Sequence, residues 1–350
     1  MKKVVIGLSG GVDSSVAAYL LTKEYEVHGV TLRMQGDCFA LKDIEDAAAV
    51  AKKLGISHEV IDCSDSFQNI KDYFAKEYLC GKTPNPCIVC NPTIKWKALL
   101  EYADQIGAEY VATGHYAYVM KLANGRYSLK TADSSKDQTY ALCMLSQEQL
   151  ARTVMPLGKY TKEEVRNFAR EIGLEVAEKP DSMEICFIHD DNYAGYIENY
   201  TGIVKPEGKF VDTSGKVLGT HKGITHYTVG QRKGLGIAFG KPMFVKEIRS
   251  ENDEVVLSDN DELFVVEAEA DNLNYMGIDN LDEGRGVPDI KSLFAKIRYS
   301  HKGEKCSIIS ADADRIRVRF ENPVRAVTPG QALVLYDENG CVMAGGIILR

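Results

Sequence analysis

The sequence has one tryptophan, ten prolines in 350 residues and no excess of positive charge, with 42 lysines and arginines against 50 aspartates and glutamates. At a formal net charge of −8, such a chain does not coat nucleic acid indiscriminately, and a nucleic-acid partner has to be held by a local basic surface. No stretch approaches the roughly 20 uninterrupted apolar residues of a membrane helix, so no membrane partner is expected. Met1-Lys2-Lys3-Val4-Val5-Ile6-Gly7-Leu8 holds only a short apolar run, ended at once by Ser9-Gly10-Gly11. It reads as a first strand and not as a secretion signal. Nine cysteines without an export signal point to a reducing, cytoplasmic setting, where close cysteine pairs are more often metal-binding or catalytic than structural disulfides. Internal repeats and low-complexity tracts are missing as well.

Hydrophobic content of 45% and charged content of 26% are those of a soluble globular protein, long enough for about two domains. The first part alternates strand-like and helix-like segments: strands at 3–8, 26–32, 58–63 and 109–113, helices at 13–24, 44–54, 66–79 and 94–106. That alternation predicts a doubly wound α/β domain with a parallel sheet. Asn124-Gly125 between alternating segments predicts a hairpin, and helices are expected again at 139–145 and 162–172. After residue 200 short alternating runs separated by Gly, Asp and Asn predict two small β domains. The expected division is 1–200, 201–269 and 270–350.

Gly7-Leu8-Ser9-Gly10-Gly11-Val12-Asp13-Ser14-Ser15 follows a buried strand and opens a helix. Small residues let the backbone turn tightly, and the amides of the turn and helix start converge where the helix dipole favours an anion. Phosphate is the natural guest. The Gly-Lys-Ser/Thr of a Walker A loop is absent, and the third glycine of the dinucleotide fingerprint is unfilled.

Thr83-Pro84-Asn85-Pro86-Cys87-Ile88-Val89-Cys90-Asn91-Pro92 carries three prolines, which predicts an ordered loop outside regular helix or sheet. No second close cysteine pair accompanies it, which argues against structural zinc. The flanking prolines argue against a thioredoxin-like motif at a helix start. A third segment, Lys179-Pro180-Asp181-Ser182-Met183-Glu184-Ile185-Cys186-Phe187-Ile188, sets a cysteine between apolar neighbours, as a core thiol would be.

Taken with Thr113-Gly114-His115-Tyr116, Lys136-Asp137-Gln138, Thr228-Val229-Gly230-Gln231-Arg232-Lys233-Gly234-Leu235-Gly236 and Thr328-Pro329-Gly330-Gln331, these segments resemble the tRNA-specific 2-thiouridylases. Ser9–Ser14 alone resembles the wider group of PP-loop ATP pyrophosphatases, which adenylate a carbonyl oxygen. The resemblance runs in order over nearly the whole chain. It implies that Gly7, Leu8, Ser9, Gly10, Gly11, Val12, Asp13, Ser14, Leu32 and Gly114 hold ATP, with Mg²⁺ accompanying it. Asn85, Pro86 and Cys87 would meet the target uracil, Cys186 would carry a persulfide received from a sulfur-relay protein, and Cys90 would attack it, leaving a Cys90–Cys186 disulfide. His115, Lys136, Asp137, Gln138, Arg298, Tyr299 and Gln331 would contact tRNA.

The implied chemistry is physically coherent. Adenylating the uracil 2-oxygen makes AMP the leaving group, and a sulfur nucleophile, active as the thiolate, then attacks C2. In much of the family the position of Cys87 is an aspartate. With cysteine there, Cys87, Cys90 and Cys186 form a three-thiol set, and thiolates are the usual ligands of iron–sulfur clusters. Some related PP-loop thiolases hold a [4Fe–4S] cluster by three cysteines, so a cluster route stands as the alternative to the persulfide route.

From Lys291 to Arg325 nine lysines and arginines face four carboxylates. Within it Arg315-Ile316-Arg317-Val318-Arg319-Phe320 alternates strictly, which in a strand puts three guanidinium groups on one face, suited to a phosphate backbone. Two other readings keep parts of the pattern: adenylation of a small-molecule carboxylate or amide, and a nucleotide-gated RNA-binding protein without catalysis. The first has no use for Cys90 and Cys186, the second none for an activated thiol. The oligomeric state is open, with a monomer favoured.

Overall fold

The computed structural model describes residues 1–36, 38–179, 185–188, 190, 192–237, 240–279, 292–312 and 314–349, with 38–40 described by backbone alone. Asp181–Glu184 of the third segment and Lys291 of the basic region lie outside the described residues.

Strand β1 (Lys3–Gly7) is the centre of the first sheet, with Val4, Val5 and Ile6 fully buried, the double-sided burial of an inner parallel strand. Helix α1 (Val12–Leu21), β2 (Glu26–Arg33), α2 (Cys38–Leu54), β3 (Ser57–Asp62) and α3 (Ser64–Leu79) follow. Helix α2 starts six residues before the expected 44, since no proline or glycine interrupts 38–43.

The proline-rich segment corrects an expectation. Pro86–Cys90 is a short helix, α4, and Asn91–Trp96 a π-helical turn that runs into α5 (Lys97–Ile106). Pro86 takes the first helical turn, where its missing N–H has no intrahelical bond to make. Asn85 caps the helix, its side-chain oxygen accepting the Cys87 N–H at 3.1 Å. Cys87 and Cys90 therefore do sit at a helix start.

Strand β4 (Tyr110–Ala112) is followed by the hairpin β5 (Ala117–Lys121) and β6 (Tyr127–Thr131), which turns at Asn124-Gly125 as expected. Residues Thr139–Leu142 form only a 3-10 turn, shorter than the expected 139–145 helix. Helix α6 (Gln147–Ala151), β7 (Thr153–Val154), α7 (Lys162–Glu171) and the unforeseen α8 (Tyr193–Thr201) complete this part. Sheet order is β3-β2-β1-β4-β7, all parallel. Strand order reverses between β1 and β4, which opens a crevice at the carboxyl ends of these strands, the usual ligand position in such folds.

Beyond residue 200, β8 (Gly208–Asp212), β9 (Val217–His221), β10 (Phe244–Arg249) and β11 (Glu254–Ser258) make a four-stranded sheet. A closed barrel follows, of β12 (Phe264–Tyr275), β13 (Leu293–Lys296), β14 (Glu304–Ala311), β15 (Arg315–Arg325), β16 (Ala332–Asp337) and β17 (Val342–Ile348). The division expected at 269/270 falls inside β12, which runs without a break from Phe264 to Tyr275. The barrel packs on the first part: one buried cluster contains Val5, Trp96, Leu129 and Tyr140 together with Met276, Ala332, Val334 and Tyr336. Tyr140 accepts the Ala332 N–H at 2.9 Å and donates to its carbonyl at 3.0 Å.

Candidate active site

The turn between β1 and α1 has the geometry of an anion cradle. Gly10 adopts φ +67°, and a Cβ there would lie 2.4 Å from the Asp43 carbonyl oxygen. Gly11 caps α1 with no side-chain bond, which leaves the first amides of the helix open to a ligand. Ser9 and Ser14 touch through their hydroxyls at 3.1 Å, and the Ser9 N–H donates to Ser14 Oγ at 3.1 Å. Gly114, just past β4, packs so closely that a Cβ would sit 2.5 Å from the Ser14 nitrogen. Leu8 and Val12 are buried core side chains, so they can offer a nucleotide only their backbone.

Two lysines brace the cradle from distant parts of the chain. Both oxygens of Asp13 accept from Lys162 Nζ, at 2.7 and 2.8 Å, and Tyr116 OH donates to the same carboxylate at 2.7 Å. Lys179 Nζ reaches the Gly10 carbonyl at 3.1 Å and Asp43 and Asp46 at 2.7 Å each. Burial opposes the Lys179 charge, but its hydrogen bonds to Asp43 and Asp46 outweigh it and hold its pKa above the usual value. No spacing rule marks these lysines, since their partners are more than a hundred residues away.

The thiols occupy the same edge of the sheet. Cys90 is buried in a cluster with Cys63, Phe67, Phe74, Phe187 and Ile188, against which Leu32 and Met34 at the end of β2 also pack. Cys186 is exposed and not the core thiol its neighbours suggested; Gln35 Nε2 donates to its carbonyl at 3.4 Å. A cleft of about 430 Å³ opens beside it, lined by Met34, Gln35, Gly36, Ser64, Asp65, Gln68 and Lys71. Cys87, Cys90 and Cys186 are all free thiols. Leu32 packs on the thiol cluster, and its neighbour Thr31 donates through Oγ1 to the Leu8 carbonyl at 2.9 Å, which ties the cradle to the sulfurs through β2.

Lys95 is a site residue that no sequence signal singled out. In an α-helix, positions five apart point about 140° from one another at 3.6 residues per turn. The wider π-turn of Asn91–Trp96 brings such a pair nearer to one face, and π-turns often mark functional sites. Lys95 is half-buried, and the charges that act on it are those of Cys90, Cys87 and Cys186. Burial works against its ammonium, yet the thiolate forms of the three cysteines outweigh burial and raise its pKa. In return, burial pushes the Cys90 thiol up to about 11 while Lys95 pulls it back. Crowding around the Cys186 sulfur raises that thiol to about 12, again with Lys95 opposing.

An iron–sulfur cluster needs its donors grouped. Among the described residues no three His, Cys, Asp or Glu side chains are grouped to hold a metal ion, so the thiols as arranged do not fit a [4Fe–4S] cluster. His115 lies tilted beside Trp96 with ring centroids 5.8 Å apart and bonds Thr113 Oγ1 through Nδ1 at 2.8 Å. Burial and the Lys95 charge push its pKa down to about 3, so it is neutral at working pH.

Several expected RNA contacts are engaged within the protein. Asp137 accepts from Thr139 Oγ1 at 2.9 Å and pairs with Lys296 at 3.5 Å, while Gln138 Oε1 accepts the Tyr116 N–H at 3.0 Å. Gln331 Nε2 donates to the Thr83 carbonyl at 2.7 Å, and Arg298 donates to the Arg325 carbonyl at 2.9 Å. Tyr299 remains exposed. Lys136 N–H donates to Ser134 Oγ at 3.2 Å. The arginine stripe alternates as expected, with Ile316, Val318 and Phe320 buried. Its charges are paired across the strands: Arg317 and Arg319 each reach Glu267 at 2.6 Å, and Arg315 reaches Glu269 at 3.5 Å.

A parallel sheet with a glycine cradle at its switch point, flanked by free thiols and a β-barrel, defines a nucleotide-using α/β enzyme with appended β domains. Residues 2–190 match the family described as tRNA methyl transferase HUP domain, 195–259 its PRC-barrel domain, and 269–348 an aminomethyltransferase beta-barrel domain. The chain is 52% identical over 364 aligned residues to the tRNA-specific 2-thiouridylase MnmA of Lachnoclostridium phytofermentans, covering 100% of both chains. It is 49% identical to that of Clostridioides difficile, covering 99% of this chain and 98% of the other. The U34-tRNA thiolase NcsA of Methanococcus maripaludis, solved with its [4Fe-4S] cluster, superposes at TM-score 0.37 and 20% identity over 57% of this chain and 64% of that one. That likeness is too slight to bear on cluster content here. This chain belongs to the tRNA-specific 2-thiouridylase family.

Proposed function

We propose that the protein uses ATP to adenylate the 2-oxygen of the wobble uridine of tRNA and replaces that oxygen with sulfur carried on Cys186. The observation that carries the reading is that β2 joins cradle and thiols: Thr31 Oγ1 donates to the Leu8 carbonyl at 2.9 Å, and Leu32 next to it packs against the Cys90 cluster. The α1 amides and the Ser9–Gly11 backbone bind the triphosphate. Asp13 is held by Lys162 and Tyr116, and a magnesium ion bound with ATP would supply charge neutralisation on the phosphates.

A sulfur-relay protein loads Cys186, whose exposure admits a partner. The terminal sulfur of the Cys186 persulfide bonds to C2 of the activated base, and the C2–O bond breaks with release of AMP. The Cys90 thiolate then attacks the Cys186 sulfur. A Cys90–Cys186 disulfide forms, the bond to the transferred sulfur breaks, and 2-thiouridine leaves with the electron pair. A thiol reductant resets the disulfide. Cys87 stands where an acid–base carboxylate is common, and Lys95 is the charged group beside Cys90.

Incubation with tRNA, ATP and a persulfide donor should yield 2-thiouridine on nucleoside analysis, with pyrophosphate released only when tRNA is present. Pyrophosphate release without any thiolated nucleoside would defeat the reading.

Lys95→Met leaves the burial of Cys90 unopposed, so its thiolate forms only at higher pH. The alkylation profile of Cys90, followed by peptide mass, should shift to the alkaline side. The rate near pH 8 should drop roughly tenfold for each pKa unit gained. An unshifted profile would remove Lys95 from the account.

The arginine stripe offers a phosphate-following face only if RNA competes with Glu267 and Glu269. Arg317→Glu with Arg319→Glu should weaken tRNA binding and reduce its salt slope by about 0.7–0.9 for each phosphate no longer neutralised, leaving ATP binding intact. A slope equal to wild type would rule out the stripe.

A further inference from the structure

The cleft beside Cys186 takes one wall from a single face of α3. Ser64, Gln68 and Lys71 stand at i, i+4 and i+7 of that helix, with Asp65 beside them. Its other lining residues, Met34, Gln35 and Gly36, follow directly on β2. Both walls are tied to the thiol. Gln35 Nε2 donates to the Cys186 carbonyl at 3.4 Å. Lys71 Nζ lies 5.7 Å from the centroid of the Phe67 ring, and that ring meets Phe187, the residue after Cys186, edge-on at 5.6 Å. Gln68 Nε2 donates to the Tyr200 hydroxyl of α8, which anchors the helical wall.

Asp65 and Lys71 both line the cleft, yet neither has a salt-bridge partner among the described residues. One free carboxylate and one free ammonium, with no arginine among the lining residues, make a poor seat for RNA. Phosphates are met by clustered lysines and arginines, and the Asp65 carboxylate repels them. A polypeptide, whose side chains carry both signs, is the complementary guest. The volume of about 430 Å³ lies within the range of roughly 300–1,000 Å³ that takes a small ligand, enough for a few side chains of a protruding segment. Of the three thiols only Cys186 is exposed; Cys90 is buried and Cys87 half-buried.

We propose that the cleft between the end of β2 and α3 is the docking groove for the persulfide-bearing segment of a sulfur-donor protein, which loads Cys186 there. The inference rests on the thiolation reading above and names where its donor binds. In the loading step the Cys186 thiolate attacks the terminal sulfur of the donor's cysteine persulfide. A bond forms between that sulfur and Cys186 Sγ, the donor's own S–S bond breaks, and the donor cysteine leaves with the electron pair as a thiolate. The terminal sulfur keeps its proton, so no oxidant or reductant is consumed. Asp65 takes a basic side chain of the segment and Lys71 an acidic one.

The test follows labelled sulfur onto Cys186 of the full chain, read by peptide mass and without tRNA, from two sources. One is a cysteine desulfurase carrying its persulfide; the other is inorganic hydropersulfide, too small to need the walls of the groove. Lys71→Glu and Asp65→Lys should each raise the KM for the desulfurase by roughly tenfold at unchanged kcat, with loading from hydropersulfide and the Kd for tRNA as in wild type. Lys71→Arg, which keeps the charge, should behave as wild type. Equal slowing from both sources would mean that these residues act on Cys186 itself, and unchanged loading would mean that the donor docks elsewhere; either result overturns the proposal. A weaker tRNA Kd with loading intact would give the cleft to RNA and overturn it too, as would wild-type chain that accepts sulfur from hydropersulfide alone. Chain that loads normally yet forms no 2-thiouridine from ATP and tRNA would instead sink the thiolation reading and leave the docking result standing.

Discussion

Cys90→Ser is expected to stop 2-thiouridine formation, by a factor on the order of a thousand or more, while tRNA-dependent pyrophosphate release continues. Cys186→Ser should give the same loss for a different reason. Without Cys186 no sulfur is loaded, so the activated base is left to water. Without Cys90 the sulfur is loaded and reaches C2, but nothing cleaves the bond to Cys186. Cys90→Ser protein should therefore accumulate an RNA–protein adduct that a thiol reductant releases, and Cys186→Ser protein should not. Serine cannot replace either residue, because its hydroxyl is a far weaker acid than a thiol and forms no disulfide. Cys90 is buried among aromatic and aliphatic side chains, so its replacement also costs about 1–3 kcal/mol of stability if the hydroxyl finds no partner. A melting curve separates that effect from chemistry. Thiolation that survives both substitutions would end the persulfide account.

The second large effect is expected at the cradle. Gly114→Ala drives a methyl group to 2.5 Å from the Ser14 nitrogen and 2.8 Å from the Asp13 carbonyl carbon. Both atoms are helix backbone and cannot step aside as a side chain would. Gly10→Ala meets the Asp43 carbonyl at 2.4 Å and must also hold φ near +67°, a conformation that costs an L-residue roughly 1–2 kcal/mol. Overpacking adds typically about 1–3 kcal/mol. Either substitution should displace the amides that receive phosphate and reduce pyrophosphate release by about a hundredfold, since losing oriented donors costs ~10²–10³ in comparable sites. Alkylation of Cys186 should be little changed, because that residue lies outside the cradle and its neighbours Ile185 and Phe187 pack with the thiol cluster. Pyrophosphate release at the wild-type rate in both variants would remove the cradle from the mechanism.

The two residue sets differ in how far they could be read in advance. The turn at Ser9–Ser14 was legible because strand, turn and helix start are contiguous in the chain, and its shape is set by the backbone of those same residues. Cys87 and Cys90 were legible as a pair, but the prolines around them suggested a loop. What decided for a helix was position: Pro86 in the first turn, capped by Asn85. Cys186 looked like a core thiol and is exposed, because its apolar neighbours Phe187 and Ile188 turn into the cluster without it.

By itself the sequence determined the succession of strands and helices from β1 to α3, the glycine turn between β1 and α1, the hairpin at Asn124-Gly125, the alternation of Arg315–Phe320 and the presence of three candidate thiols. Each of these is written in a few consecutive residues, where local sterics and periodicity suffice. Tertiary structure alone decided that Lys162 and Lys179 secure the cradle, that Lys95 faces the thiols, and that Glu267 neutralises Arg317 and Arg319. It also decided that Gln331 serves Thr83. Charges and hydrogen bonds act over a few ångströms of space whatever the distance along the chain, so the partners of these groups appear only once sheet, barrel and helices are packed together.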